Sequence, residues 1–302
     1  DFTPAFYQIR FAMSLFSKVE TAPRDPILGL NEQFNADTNP AKVNLGVGVY
    51  FDDNGKLPLL RCVQAAEHSM AQAPKARGYL PIDGIVAYDT GVKNLVFGAN
   101  SDVVTSGRVA TVQAIGGTGG LKIGADFLKK ISPDAKVLIS DPSWENHRAL
   151  FTNAGFEVEN YRYYDAQTRG IDFAGMLADL NAAAAGTIVL LHACCHNPTG
   201  ADITEAQWRQ VIDICKAKQL IPFLDMAYQG FAAGIEQDGV AVRLFAESGM
   251  SFFVSSSFSK SFSPFQRTQI LSKDVKFVQD LFFQIGFDPF GAYLQVRNKK
   301  VS

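Results

Sequence analysis

Cysteine is scarce in this 302-residue chain, and the four present, Cys62, Cys194, Cys195 and Cys215, include no C-x-x-C pair. Two are adjacent. The spacing argues against a disulfide framework and against a zinc site, and it fits a reducing compartment, the cytoplasm. An excess of either charge is also lacking: 28 Lys and Arg stand against 30 Asp and Glu, a formal net charge of −2. No basic stripe or polybasic cluster is available to hold nucleic acid or an anionic membrane surface. No apolar run approaches the roughly 20 residues that span a bilayer as a helix. Arg10 and Lys18 interrupt the short apolar pieces near the beginning, a pattern unlike a signal peptide. The chain shows no internal repeat, no low-complexity tract, no Walker loop and no G-x-G-x-x-G.

What is there reads as a globular enzyme. Hydrophobic residues make up 47% and charged residues 19%, and a chain of this length buries about three quarters of its unfolded surface. Asp25-Pro26 opens a short helix through Phe34. Val43 to Tyr50 alternates like a strand, with Gly46 and Gly48 permitting close approach to the backbone. Pro58 suits a first helical position, and Leu59 to Gln72 reads as a helix, followed by another from Asp83 to Phe97 that stops at Gly98. Strands are then expected at 109–115, 136–140, 156–161, 187–193, 220–224 and 251–255, with helices at 119–130, 144–153, 172–184 and 204–218. Thr204 and Gln207 have capping-box spacing. Such alternation predicts an α/β layer fold around a mostly parallel sheet.

Ligands of such sheets sit beyond the carboxyl ends of the strands, so the residues that follow each strand are the candidates. Gly116-Gly117-Thr118-Gly119-Gly120 runs into a helix, whose free N–H groups suit a phosphate. Trp144, in Asp141 to His147, can stack on a planar ring or simply pack in the core. Asn197, ahead of Pro198, is held extended and can aim its amide at a ligand. Asp225 follows an apolar strand, where a buried carboxylate needs a cationic partner, unless it only caps the next turn. Lys260 lies past the last strand among Ser257, Ser259 and Ser261. A polar loop with a surface lysine is the simpler reading of that stretch alone. A lysine that sheds its proton to attack a carbonyl carbon, beside donors for a phosphate, points to pyridoxal phosphate. Phosphate cradle, ring stacker, amide, carboxylate and lysine at five strand ends are hard to attribute to chance.

These residues, with Asn44 to Tyr50, Gly78-Tyr79-Leu80-Pro81-Ile82-Asp83-Gly84, Cys195 to Gly200 and Asp225 to Phe231, resemble the class I aminotransferases, nearest in look to the bacterial aspartate and aromatic amino-acid enzymes. The resemblance runs from about Met13 to Ser263 and implies a three-layer α/β/α large domain with an incomplete small domain. It implies pyridoxal 5'-phosphate as cofactor, and transfer of an amino group between an aromatic or acidic L-amino acid and a 2-oxo acid such as 2-oxoglutarate. It implies a homodimer with shared sites, and neither nucleic acid nor membrane as partner. By position Lys260 is the Schiff-base lysine and proton shuttle. Asp225 pairs with the ring nitrogen, supported through His147 and His192. Tyr228 and Asn197 bond the ring oxygen. Trp144 stacks on the ring and, with Asn197 and Gly48, borders the substrate. Gly116, Gly117, Thr118, Ser257 and Ser259 surround the phosphate, and Tyr79 reaches the phosphate of the partner subunit.

On the same basis residues 1–12 read as an extension, 13–57 as an N-terminal arm with a small-domain segment, 58–263 as the large cofactor-binding domain, and 264–302 as a divergent tail. The family's phosphate-binding arginine, eight residues past the lysine, is replaced by Thr268, with Arg267 one place earlier. The arginines that grip the substrate carboxylates lie in a part of the family pattern with no counterpart in 264–302. Two other readings stay open: an aminotransferase-like module that binds cofactor or a partner without turnover, and another pyridoxal enzyme of this fold, such as a β-lyase.

Overall fold

In a computed structural model the described residues are 26–42, 60–74, 78–261 and 292–296. The chain divides into two compact units, Asp1–Val49 and Tyr50–Ser302. In the first, α1 (Pro26–Ala36) runs two residues beyond the expected end, and the Lys42 ammonium closes the segment by donating to the Asp37 carbonyl at 2.6 Å. The strand expected at 43–50, with Gly48, lies outside the described residues, as do Pro58 and Arg267.

The second unit begins with α2 (Arg61–Gln72), α3 (Val86–Phe97) and the single turn α4 (Asp102–Thr105). From β1 (Val109–Gln113) it alternates: α5 (Gly116–Ile131), β2 (Lys136–Asp141), α6 (Glu145–Asn153) and β3 (Glu157–Arg162). A two-stranded ribbon, β4 (Tyr164–Asp165) with β5 (Gly170–Ile171), leads into α7 (Phe173–Ala182), β6 (Ile188–His192), α8 (Glu205–Ala217) and β7 (Ile221–Met226). Short α9 (Ile235–Asp238) and α10 (Val240–Glu247) precede β8 (Phe252–Ser256), and β9 (Ala292–Val296) completes the sheet.

The sheet order is β1-β9-β8-β7-β6-β2-β3. β8, β7, β6, β2 and β3 are parallel, and β9 runs antiparallel to both β1 and β8. Both faces are covered, which gives the expected three-layer α/β/α architecture. Period-2 alternation decides which side chains go where. Leu138, Val189, Leu191, Leu224, Phe252 and Val254 pack with α3, α7, α8 and α10. Val137, Ile139, Ile188, Leu190, Phe223 and Phe253 pack with α5 and α6 on the other side. Strands buried on both faces read as continuous apolar runs, and that is why β6, β7 and β8 were legible. The edge strand β3 is charged, and its Glu157 and Glu159 both pair with Lys136 of β2, at 3.1 and 2.6 Å.

The six expected strands form within two residues of their expected ends. Thr204 builds the expected capping box, accepting from the Gln207 N–H while its own N–H donates to Gln207 Oε1 at 2.8 Å. Besides the unexpected short elements α4, α9 and β4–β5 and the start of α3 at Val86 rather than Asp83, three larger features differ from the sequence reading. α5 starts at Gly116 rather than 119, so the glycine run is the helix's first turn and not a loop before it. Glycine is a poor helix former, which hid the start. α10 is an additional helix of eight residues, five of them buried, and its polar face is only Arg243 and Glu247, four residues apart, too short a pattern to stand out. Finally, 292–296, from the segment read as a divergent tail, inserts as β9 between β1 and β8.

Candidate active site

The register of the parallel strands sets the site. His192 stands opposite Asp225 across β6 and β7, and Asp225 opposite Ser255 across β7 and β8. The carboxyl ends are therefore level, and the loops that leave them converge. They enclose a cavity of about 270 Å³. Gly116, Gly117, Thr118, Trp144, Asn197, Asp225, Tyr228, Ser257, Ser259 and Lys260 all border it. That is every predicted site residue among the described ones except Tyr79, which is fully exposed and does not border it. His192 borders it as well, and Ile115, Leu121, Cys194 and Ala227 complete the lining without having been singled out.

One end of the cavity is built for an anion. Ile115, the N-cap of the 16-residue α5, supplies no side-chain cap, so the first-turn N–H groups and the positive end of the helix dipole face outward. Gly116 holds φ 63°, a left-handed conformation that favours glycine. At Gly117 a Cβ would lie 3.2 Å from the Ser257 Cβ, so the backbone approaches the serine loop as closely as glycine allows. The Ser255 hydroxyl donates to the Gly117 carbonyl at 3.3 Å and ties β8 to the cradle. The Ser257 hydroxyl accepts from the Ser259 N–H at 3.3 Å, so both hydroxyls sit on one tight turn immediately before Lys260. The Lys260 ammonium lies 5.0 Å above the Tyr228 ring, within the range of a cation–π contact.

The opposite wall is a directed chain of hydrogen bonds. The Asn197 N–H donates to His192 Nδ1 at 3.4 Å. His192 Nε2 lies 3.3 Å from Ser143 Oγ, Ser143 Oγ lies 2.8 Å from His147 Nδ1, and His147 Nε2 lies 2.8 Å from Asp225 Oδ2. Since His192 Nδ1 accepts, its Nε2 must carry the proton and donate to Ser143. The Ser143 proton then goes to His147 Nδ1, and His147 Nε2–H goes to the carboxylate. One proton order satisfies all four links. Burial first, then the neighbouring His147 and His196, hold the His192 imidazole well below its usual pKa and keep it neutral. Sequence reasoning supplied His147 and His192 but not Ser143, although it stands within the Asp141–His147 stretch.

A second layer supports the first. His196 stacks on Tyr163 at 4.1 Å, lies 4.1 Å from His192, and bonds Ser140 Oγ at 2.9 Å and Thr199 Oγ1 at 2.8 Å. Burial lowers its pKa to about 4, helped by His147. Asp202 accepts from the N–H groups of Cys195 and His196 at 2.6 and 2.8 Å and fixes the turn that carries Asn197. Burial, and then Asp225, push the Tyr228 hydroxyl above its ordinary pKa, so it is a donor at neutral pH.

An anion cradle, an acceptor carboxylate and an amine facing one small chamber match a planar, phosphate-bearing ring that carries a carbonyl. The sequence profile of the family described as aminotransferase class I and II matches residues 40–264. The chain belongs to this family. It is 67% identical over 251 residues to an aspartate aminotransferase of Pseudomonas aeruginosa, covering 83% of this chain and 63% of that protein. It is 51% identical over 250 residues to an aromatic-amino-acid aminotransferase of Escherichia coli, covering 82% and 63%. The chain thus spans under two thirds of the length of these relatives. Among solved structures, an aromatic-amino-acid aminotransferase from Burkholderia pseudomallei, covalently bound to pyridoxal phosphate, superposes with a TM-score of 0.85 at 58% identity, over 95% of this chain and 67% of that one.

Proposed function

We propose that this chain binds pyridoxal 5'-phosphate and belongs to a transaminase that moves an amino group between an aromatic or acidic L-amino acid and a 2-oxo acid such as 2-oxoglutarate. The observation that carries the reading is the meeting of the Lys260 amine, the His147-supported Asp225 carboxylate and the bare amino end of α5 in one cavity. When bound, the cofactor supplies an electron-withdrawing ring that stabilises negative charge at the substrate's Cα.

The residues divide the work. The first turn of α5 with Ser257 and Ser259 holds the phosphate. Asp225 pairs with the ring nitrogen, and the chain from Asn197 to His147 keeps the Asp225 side chain aimed. Trp144, Tyr228 and Asn197 all border the cavity, where Trp144 would cover one face of the ring and Tyr228 with Asn197 would donate to its phenolic oxygen. Lys260 anchors the cofactor and then moves a proton at Cα as general acid and base. Gly48 borders the substrate, as the resemblance implies.

The active unit is proposed to be a homodimer, with Tyr79 completing the partner's phosphate site. The support is the exposure of large apolar side chains: Tyr79 and Ile82 at 106% and 102%, Val86 and Ile115 at 71% and 76%. Exposed apolar patches of this kind mark interfaces. Among the described residues no helix is long and apolar enough to cross a membrane. The unpaired thiols of Cys62, Cys194, Cys195 and Cys215 agree with the cytoplasm.

The test is borohydride reduction of the protein mixed with pyridoxal phosphate, then peptide mapping, followed by amino-acid addition. We expect the label on Lys260 and conversion of the cofactor to its pyridoxamine form. A label at another lysine, or none with cofactor in excess, overturns the reading. Label without conversion turns it into the module that binds cofactor without turnover.

A further inference from the structure

We propose that Cys194, Cys195 and Asp238 form a binding site for a thiophilic divalent cation, of the zinc or cadmium class, behind the wall of the cofactor cavity. One donor atom from each of the three lies within 4.8 Å of the other two. Cys194 and Asp238 are buried, and Cys195 is half-buried. Cys194 also borders the cavity, which gives an ion a route in. Adjacent cysteines argued against a zinc site in the sequence because two ligands without a C-x-x-C spacing do not make one. The fold supplies the third donor from α9, far along the chain.

The ligands are held by their surroundings, as metal ligands commonly are. Cys195 adopts φ 49°, uncommon for a residue with a side chain, and Asp202 locks that turn through the N–H groups of Cys195 and His196. Asp238 is fixed by the N–H groups of Gly230 and Ala232 on Oδ2, at 2.8 and 3.0 Å, and of Ala233 on Oδ1 at 2.9 Å. Oδ1 thus keeps a lone pair for an ion. Two sulfurs about 2.3 Å from a tetrahedral zinc stand about 3.8 Å apart, within the observed span. Thiolates select zinc, cadmium and similar ions over magnesium and calcium.

Binding is balanced by proton release. The ion takes both sulfurs as thiolates and one carboxylate oxygen, two protons pass to solvent, and a fourth position stays open to water. Affinity therefore rises with pH. Metal binding also removes the Cys195 S–H that donates to the Tyr228 carbonyl at 3.7 Å, so the ion acts on a residue of the cofactor cavity.

The experiment titrates Cd²⁺ into the full cofactor-free chain, reading heat and the ultraviolet thiolate-to-cadmium absorption at two pH values. The variants are Cys194→Ser, Cys195→Ser and Asp238→Asn, with Cys62→Ser/Cys215→Ser as control. We expect one ion per chain with the thiolate band, tighter binding at the higher pH, and wild-type binding in the control. Loss of a ligand should weaken binding by at least about 10–100-fold, the effect seen for outer-shell partners alone. Unchanged affinity in both Cys194→Ser and Cys195→Ser, a band that follows Cys62 and Cys215, or no band at all overturns the proposal. Wild-type affinity in a folded Asp238→Asn overturns the three-donor site. Cofactor binding is measured separately, so none of these outcomes bears on the proposed transaminase.

Discussion

The Nε2 atom of His147 lies 2.8 Å from Asp225 Oδ2, and the His147 side chain is wholly buried while the carboxylate borders the cavity. A buried imidazole commits one carboxylate oxygen to the protein and leaves the other to a ligand. Replacing His147 with Ala strips Asp225 of this donor and Ser143 of its acceptor. We expect a loss of about 1–3 kcal/mol of stability, the usual cost of an unsatisfied buried polar group, read from urea unfolding of the cofactor-free chain. Wild-type stability would mean that water replaces the ring.

Asp225→Ala should act on chemistry more than on retention. The phosphate seat on α5 and the serine turn is untouched by this change, so cofactor affinity should fall less than the rate of Cα proton exchange. Comparing the two by equilibrium dialysis and by deuterium wash-in decides. Parent-rate exchange would remove the residue from its assigned role.

Lys260→Ala should abolish borohydride labelling and lower proton transfer by at least roughly 10²–10⁴-fold, the span for one positioned acid–base group. The folded core should be unaffected, because Lys260 lies in the turn after β8 and not in either buried cluster. A circular dichroism spectrum and melting curve like the parent's are the control.

Gly117→Ala places a Cβ 3.2 Å from the Ser257 Cβ, so the serine turn or the helix start must give by a few tenths of an ångström. The phosphate seat lies between them. Cofactor affinity should drop by about tenfold, equivalent to about 1.4 kcal/mol, measured by fluorescence titration. Gly170, where an added Cβ meets only an ordinary contact with Thr168 Oγ1 at 3.5 Å, is the contrasting position, and Gly170→Ala should leave affinity alone.

His196 gives the protein a pH signature. Its pKa is about 4 when folded against an ordinary 6.5, so between these values the unfolded chain binds the proton and the folded chain does not. Its contribution is complete above pH 6.5 and is lost as pH falls toward 4, at up to about 1.4 kcal/mol per pH unit. Asp89 works the other way: burial, with Asp83 adding to it, raises its carboxyl to about 7, so stability is lost as pH rises from 3.8 toward 7. The two partly cancel in the wild type. The stability difference between wild type and His196→Gln should therefore shrink steadily as pH drops below 6.5. A constant difference would show that the imidazole titrates alike in the folded and unfolded chains.

What the sequence made legible was whatever has a local signature. Continuous apolar runs marked β6, β7 and β8, the Thr204–Gln207 spacing marked the start of α8, and the residues after each strand marked the cavity lining. What stayed hidden depends on distance. Asp202 and Asp238 are clamps on backbone N–H groups of other loops, and an aspartate looks the same whether it clamps or is solvated. Ser143 matters only because His147 and His192 reach it from separate elements. β9 spans five residues, too few for alternation to stand out, and it exists as a strand because β1 and β8 each offer it an edge.

That last strand bears on how the molecule is made. The phosphate cradle follows β1 and the lysine follows β8, and what joins those two strands is β9, the last of the described elements to leave the ribosome. When Lys260 emerges, every lining residue of the cavity has been synthesised, yet β1 and β8 have no strand ladder between them, although the Ser255 hydroxyl can already reach the Gly117 carbonyl. Closing them requires a pairing between residues 109–113 and 292–296, among the longest-range contacts in the sheet, and such contacts form slowly because a long loop must be closed first. Capacity to hold the cofactor should therefore appear late in synthesis, after the helices and the parallel strands are already in place.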